Sequence, residues 1–205
     1  MRFTVSFVSI FFSLLFTSPA SSADWESAKR AYQQKDYAAA LKEVVPLAEQ
    51  GNSDAQVLLG RMYLRGRGVL QSPGQALEWF KAAAAQGNTD GEFLLGSMYL
   101  LPRSNTAEGL KWVRLAASHG NKDAQLLLGK TCLEGLPELP RDPVQADMWL
   151  RLAAKDNLPF YGAELASAEK QMSPDQIAKG KALADVWKPV APGKSDEKPA
   201  AADKL

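Results

Sequence analysis

The stretch AQVLLG, from Ala55 to Gly60, returns as GEFLLG from Gly91 to Gly96 and as AQLLLG from Ala124 to Gly129. A period of about 35 residues indicates supersecondary units stacked on one another, because a single unit cannot bury its own apolar face. Stacks of this kind mostly bind other molecules along an extended surface. The repeat therefore predicts an architecture and a general class of function, and it leaves the partner open.

Each repeat is predicted to form two helices joined by a loop. The recurring structural positions are Gly60, Gly96 and Gly129 in the first helices and Trp79, Trp112 and Trp149 in the second helices. Glycine inside a helix costs about 1 kcal/mol relative to alanine, so its recurrence predicts that a neighbouring helix approaches closely. The tryptophans lie on an alanine-rich face, which favours core packing over platforms for stacking sugars.

The ends of the predicted helices are marked by residues that tolerate a left-handed backbone or cap a helix. The predicted helix ends are Gly51, Gly87, Gly120 and Asn157. The predicted caps of the helices that follow are Asp54, Asp90 and Asp123. Short turns between successive helices favour antiparallel pairs.

The pattern predicts an all-α protein, an α-α superhelix built as a solenoid of antiparallel helix pairs. The predicted solenoid spans residues 24–188: a degenerate first unit at 24–51, repeats at 54–88, 90–121 and 123–157, and capping helices at 159–188. Ser173 followed by Pro174 is typical of a helix start. Residues 189–205 lack apolar periodicity and are predicted to form a disordered tail.

The N-terminus has the layout of a secretory signal peptide. Arg2 precedes an apolar run from Phe3 to Phe16, and small residues follow up to Ala23. We expect cleavage after Ala23, which places the mature protein in the periplasm or outside the cell. The alternative is an uncleaved membrane anchor, but the run is shorter than the roughly 17 to 25 residues of a spanning helix. Because Cys132 is the only cysteine, lipid attachment at the leader is excluded.

The charge balance gives no sign of a general affinity for nucleic acid or for an anionic membrane. The chain has 24 basic and 23 acidic residues, and removing the leader with Arg2 leaves 23 of each. Neither nucleic acid nor an anionic membrane is therefore an expected partner. A single cysteine also rules out an intramolecular disulfide, so the fold must be stabilised by helix packing.

The motifs resemble those of a known family. The run A-x-x-x-L-G-x-x-Y-x-x-G-x-G-V from Ala55 to Val69, followed by A-x-x-W-F-x-x-A-A-x-x-G from Ala76 to Gly87, resembles the Sel-one-like repeat, a relative of the tetratricopeptide repeat. The second repeat departs from the pattern in its loop, and the third has Cys132 in place of the tyrosine. The segment from Met172 to Trp187 also resembles the closing helix of exported bacterial proteins of this kind. The resemblance implies a superhelix that mediates protein interaction in the bacterial periplasm.

The sequence offers no recognisable catalytic, metal or cofactor site. His119 is the only histidine, and a position in the last turn of a helix is expected to complement the helix dipole. Cys132 replaces Tyr63 and Tyr99 of the sister repeats and is expected to be a buried space-filler. We therefore predict that the protein is not an enzyme. A wall or β-lactam hydrolase is the remaining catalytic hypothesis, and its helical-repeat relatives use paired cysteines that this chain lacks.

The candidate binding surface is the concave groove that the first helices form in tetratricopeptide-like stacks. Its predicted residues are Val57, Arg61, Leu64, Arg65, Phe93, Ser97, Leu100, Leu126, Lys130 and Glu134. Arg61, Arg65 and Arg67 make this wall locally basic, and such a groove fits an extended peptide or helix with acidic groups. The alternative interpretation is an ordinary solvated helix face.

These observations favour an adaptor that binds another envelope protein or peptide through the groove, without a cofactor. The main alternative is a cell-envelope module that recognises peptidoglycan or an exported polysaccharide. Retention on purified wall material in the absence of any protein partner distinguishes the two.

Overall fold

The computed structural model describes residues 24–101, 105–156 and 158–191. The predicted signal peptide at 1–23 and Asn157 lie outside these ranges. The described residues form ten α-helices and no strand, apart from one isolated bridge between Leu136 and Leu139. The helices are α1 (Trp25–Gln33), α2 (Tyr37–Glu49), α3 (Ser53–Arg65), α4 (Pro73–Ala84), α5 (Thr89–Leu100), α6 (Thr106–Ser118), α7 (Lys122–Glu134), α8 (Pro143–Ala154), α9 (Pro159–Glu169) and α10 (Pro174–Val186).

The helices stack as successive hairpins. The most extensive contacts join α3 to α4, α5 to α6 and α7 to α8, and the second helix of each pair packs on the first helix of the next. This arrangement confirms the predicted all-α solenoid. Three clusters of buried apolar side chains follow one another along the stack, which is how a repeat protein divides its core among its units.

The glycines of the first helices lie where the paired helix comes closest, as predicted. A carbon built as the Cβ of Gly60 would lie 2.5 Å from Phe80 Cε1, and the equivalent carbon on Gly129 would lie 2.7 Å from Leu150 Cγ. On Gly96 it would lie 2.9 Å from the backbone nitrogen of Val113. Hairpin packing at this distance therefore compensates for glycine's low helix propensity.

The sequence predicted that the tryptophans of the second helices form the core, but the core residue is in each case the next one along the chain. Trp79, Trp112 and Trp149 are half-buried and pack against the edges of the apolar clusters. The side chains that fill the interior are the following residues, Phe80, Val113 and Leu150, which are at most 1% exposed. These are also the side chains that contact the three glycines. The buried face of each second helix is thus rotated by one position from the face that the tryptophans suggested.

The helix caps also differ from the prediction. Asn52, Asn88 and Asn121 cap α3, α5 and α7, and the predicted Asp54, Asp90 and Asp123 lie in the first turn of those helices. Both residue types accept a hydrogen bond from a free helix N–H, so the sequence allowed either choice. The helix ends are as predicted at Gly51, Gly87 and Gly120, whose φ values are +90°, +74° and +93°.

The loop after α3 fastens the first unit to the rest of the stack. Arg67 Nη1 donates a hydrogen bond of 2.6 Å to the Tyr32 hydroxyl, and its guanidinium lies 5.5 Å from the ring centroids of both Tyr32 and Tyr37. Gly68 has φ +74°, and a Cβ there would lie 2.8 Å from the Tyr37 carbonyl oxygen. Arg67, which the sequence placed on the basic wall of the groove, is therefore used to hold α1 and α2.

The C-terminal helices leave the hairpin pattern. Ser173 caps α10 in a capping box with Gln176, as its sequence indicates. α10 then packs on α8 instead of α9: a Cβ on Gly180 would lie 2.6 Å from Asp147 Cβ, and Trp187 makes an edge-to-face contact with Trp149. Beyond α10 the Val190 N–H donates to the Ser118 carbonyl over 2.9 Å, so the start of the predicted tail contacts the stack. The remainder of that tail lies outside the described residues.

Candidate functional site

The first helices lie side by side and form the surface that we call the first-helix face, made by α3, α5, α7 and α9. α3 contacts α5, and α7 contacts α9. Arg61 Nη2 lies 3.2 Å from Asp90 Oδ2 of the next unit, and Lys130 Nζ lies 3.0 Å from Glu164 Oε2. The two cations occupy equivalent positions in the first and third repeats. Two of the predicted binding cations therefore join neighbouring units.

The apolar residues predicted for the groove mostly take part in packing. Val57 is only 6% exposed. The half-buried members, which pack against the apolar clusters, are Leu64, Phe93, Leu100 and Leu126. The Ser97 hydroxyl donates to the Phe93 carbonyl of its own helix over 2.8 Å. What they leave accessible is a shallow surface with partly covered apolar side chains.

Two predicted residues remain exposed at the C-terminal ends of their helices. Arg65 ends α3 and Glu134 ends α7, and neither forms an ion pair with another described residue. A cleft of about 310 Å³ opens next to Glu134, between the end of α5 and the loop after α7. Its lining residues are Leu100, Thr106, Thr131, Glu134, Gly135, Leu136, Pro137 and Glu138. The structure therefore brings Leu100 and Glu134 together, and places Arg65 on the neighbouring unit.

A chain of polar contacts runs along the other end of the first helices. Asn88 Nδ2 donates to Asp54 Oδ1 over 2.7 Å, and Asn121 Nδ2 donates to Asp90 Oδ1 over 2.9 Å. The Tyr161 hydroxyl completes the series by donating to Asp123 Oδ1, and this bond raises the pKa of Tyr161 to about 12. The three aspartates thus link each unit to the next. This role escaped the sequence analysis because it needs residues of two units at once.

The comparison with protein families identifies the repeat. A family model of the Sel1 repeat matches residues 53–88, 89–121 and 122–158, which together make up just over half of the chain. The chain belongs to the Sel1 repeat family. The matched segments lie within one residue of the repeats expected from the sequence, and they confirm the resemblance to Sel-one-like repeats.

Solved structures show the same fold. A Sel1 repeat protein from Oxalobacter formigenes is 25% identical, with a TM-score of 0.65 over 78% of this chain and 69% of that one. The protein c5321, a protective antigen present in uropathogenic Escherichia coli strains that displays an SLR fold, is 26% identical, with a TM-score of 0.52. That match covers 73% of this chain and 40% of c5321. No curated protein sequence matches the chain. Sel1 repeats generally mediate protein–protein interaction and are generally non-catalytic scaffolds.

The middle Sel1 repeat contains a buried pair that the sequence analysis missed. His119 Nδ1 lies 2.9 Å from Glu92 Oε2, and the two side chains are 2% and 1% exposed. The lone histidine therefore contacts a carboxylate of its own repeat, where only an interaction with the helix dipole was expected. Burial raises the pKa of Glu92, and the hydrogen bond with His119 opposes that change. His119 Nε2 is buried and has no partner among the described residues.

Both neighbouring Sel1 repeats have a neutral glutamine at the position of Glu92, and the first repeat also has one at the position of His119. Gln56 is equivalent to Glu92, and Gln86 is equivalent to His119; Gln86 Nε2 donates to Gln56 Oε1 over 2.8 Å. Gln56 also donates to the Ala48 carbonyl, as Gln125 in the third repeat donates to the Ala117 carbonyl, both over 3.1 Å. Comparing the three repeats column by column would have revealed the Gln, Glu, Gln series. The pair of Glu92 and His119 therefore replaces, with ionisable side chains, a contact that two glutamines make in the first repeat.

The side chains that could take part in catalysis are arranged for packing. Cys132 is 3% exposed, and burial raises the pKa of its thiol to about 12, so it is a poor nucleophile at neutral pH. Within the described ranges, no group of three or more histidine, cysteine, aspartate or glutamate side chains could hold a metal ion. None of the described helices is both long and apolar enough to cross a membrane.

Proposed function

We propose that the protein is an exported adaptor of the bacterial envelope, which binds a segment of another envelope protein on the first-helix face. The observation that carries this proposal is the cleft at Leu100 and Glu134, bordered by accessible polar side chains on a Sel1 repeat scaffold. The cleft accepts an apolar anchor of the partner. Arg65 and Glu134 offer opposite charges at two points of the face, which favours a segment with a fixed direction.

Export is supported by the position of the first helix. α1 begins at Trp25, and its N-cap Asp24 accepts a hydrogen bond from the Glu26 N–H over 3.1 Å. Cleavage after Ala23 therefore leaves the first cap intact. The test is fractionation of the cells followed by intact mass and N-terminal sequencing: an envelope form that begins at Asp24 is expected, and a full-length cytoplasmic form contradicts export.

The binding face is tested by site-specific photocrosslinking in living cells. A photoreactive amino acid at Arg65 is expected to capture one dominant protein, and Glu134→Arg is expected to reduce that capture about tenfold or more. Lys42→Glu, an exposed change on α2, serves as the control and leaves the capture intact. If Glu134→Arg and Lys42→Glu behave alike while both variants melt like the parent, the first-helix face is not the binding surface. Retention on purified wall material without a captured protein would instead support the polysaccharide-binding alternative.

A further inference from the structure

The last helix pair leaves an unfilled position in the stack. In the three Sel1 repeats the first helix packs against its own second helix along most of its length. α9 is the first helix of the next unit, but α10 packs on α8 instead of pairing with α9. The position that a second helix would take beside α9 is therefore open.

The exposure of α9 shows the consequence of this gap. In α7 the position that faces its own second helix most closely is Gly129, which is buried against Leu150 and Ala146 of α8. Its equivalent in α9 is Ala166, which is exposed. A Cβ built on Gly162 would have no atom within 4 Å. The inner face of α9 thus has the form of a packed helix surface without its partner.

This open position is a cleft of about 660 Å³ between α8, α9 and α10. Its floor includes Leu152, which is 6% exposed, together with Leu165 and Ala184, and Leu158 stands at the rim with 48% of its surface exposed. The volume falls within the range of about 300 to 1,000 Å³ that is typical of binding pockets. It can accept the apolar side chains that one face of a helix presents.

The charged residues around the cleft indicate which charges a bound partner should carry. Arg151 is held at one wall by ion pairs with Asp147 and Glu169. Lys155 and Lys181 are exposed on the rim, and neither forms an ion pair within the described part of the chain. Asp185 is the one carboxylate among the residues that line the cleft. Because Asp147 and Glu169 neutralise Arg151, the charges left around the cleft are Lys155 and Lys181 against Asp185, and this positive excess favours a partner with acidic side chains beside its apolar ones.

We propose that this cleft is a second interaction site, distinct from the first-helix face, which binds an amphipathic helix of a partner protein with glutamates or aspartates flanking its apolar stripe. The partner's helix takes the position beside α9 that the second helix takes in the other repeats. Recognition by apolar anchors on one helix face is a common mode of peptide binding. The proposal stands whether or not the first-helix face binds a protein.

The test uses designed peptides as probes. The first is a fluorescein-labelled helix of about 15 residues, close to the length at which isolated helices become stable, with leucines along one face and glutamates beside them. The second has lysine in place of every glutamate, and the third has the composition of the first in scrambled order. Fluorescence anisotropy is expected to show that the first peptide binds about tenfold or more tightly than either of the others.

Variants of the protein locate the binding site. Gly162→Trp fills the open space beside α9, and Lys155→Glu combined with Lys181→Glu reverses the rim charge. Each is expected to weaken binding of the first peptide about tenfold or more, while Lys42→Glu leaves it unchanged. Circular dichroism and thermal melting confirm that each variant is folded.

Three results of the peptide experiments would overturn the proposal. The first peptide and its scrambled form could bind equally, no binding could appear up to millimolar concentration, or the folded variants could bind like the parent. Sedimentation of the protein alone addresses a second copy as the occupant: a dimer that Gly162→Trp abolishes would assign the cleft to self-association and would refute the partner helix.

Discussion

The asparagine caps act on two units at once, and this explains why an amide is needed where an aspartate could also cap. Asn121 Oδ1 accepts from the Ala124 N–H of its own helix, and its Nδ2 donates to Asp90 of the preceding repeat. An aspartate carboxylate could accept the bond from the Ala124 N–H, but it has no N–H group to donate to Asp90. Asn121 is also 9% exposed, so a charge placed there would be poorly solvated and close to Asp90.

Asn121→Asp is therefore expected to destabilise the protein by about 1 to 3 kcal/mol, because it removes one hydrogen bond and sets two carboxylates against each other. Asn52→Asp is the matched control. Asn52 caps α3 through the Ala55 N–H, and its described contacts include no aspartate of a preceding unit. The control should change stability by less than about 0.5 kcal/mol. Urea denaturation of both variants measures the difference, and equal losses would contradict the two-unit role.

The Glu92 carboxyl introduces a pH dependence with a definite sign. Because burial raises its pKa in the folded protein, its contribution to stability is fully present below the pKa of the unfolded chain and is lost as the pH rises through the folded value. Glutamine cannot titrate, and at this position it can donate to a carbonyl as Gln56 and Gln125 do.

Glu92→Gln is accordingly expected to melt above the parent by a margin that widens as the pH is raised from about 4 to 8. Thermal melts across this pH range provide the measurement. A margin for Glu92→Gln that does not change with pH would show that the buried carboxyl is not the cause.

At the scale of the helix pair, a methyl group added at Gly96 would improve helix propensity but crowd α6. The close approach of the two helices decides which effect is larger. Replacing a helical glycine by alanine should gain about 1 kcal/mol through helix propensity. At Gly96, however, the new methyl group would lie 2.9 Å from the Val113 backbone nitrogen and 3.0 Å from the Gly109 carbonyl oxygen. Backbone atoms in a packed hairpin cannot move aside without separating the two helices.

We expect Gly96→Ala to destabilise the protein by about 1 to 3 kcal/mol, since overpacking outweighs the gain in propensity. Gly74 supplies the control: it lies in the first turn of α4, and a Cβ there would have no atom within 4 Å. Gly74→Ala should be neutral or slightly stabilising. Chemical denaturation compares the two variants, and a Gly96→Ala protein as stable as the parent would show that the hairpin tolerates wider spacing.

The hairpins could be predicted from the sequence because their determinants recur within one unit. A glycine in the first helix and a bulky residue in the second specify the same contact three times. Contacts between units were harder to predict. Arg61 was assigned to a partner, yet it pairs with Asp90 of the next repeat, and nothing in the local pattern of α3 distinguishes these roles. The sequence therefore predicted the helix pairs more accurately than it predicted which residues of the first-helix face are available to a partner.

At the scale of the whole molecule, the repeats need an end that covers the last apolar surface, as stacked units do in general. α10 provides it by lying on α8, where Asp147 becomes completely buried beneath Gly180 and Trp149 is covered by Trp187. The direction of α10 depends on these contacts with α8. The Ser173-Pro174 pair predicts where α10 begins, but it does not predict which helix α10 packs against.

Removal of α10 tests this capping role. A chain that ends at Met172 loses the Trp187 contact and exposes the buried face of α8, so a loss of about 3 kcal/mol or more is expected, since truncating a single buried aromatic side chain costs that much. At about 2 to 4 °C per kcal/mol, the melting temperature should fall by about 10 °C. A chain that ends at Ala191 retains every described contact and should melt like the parent. If both truncated proteins melt alike, α10 does not stabilise the repeats, and the burial of Asp147 beneath it would be incidental to the stability of the stack.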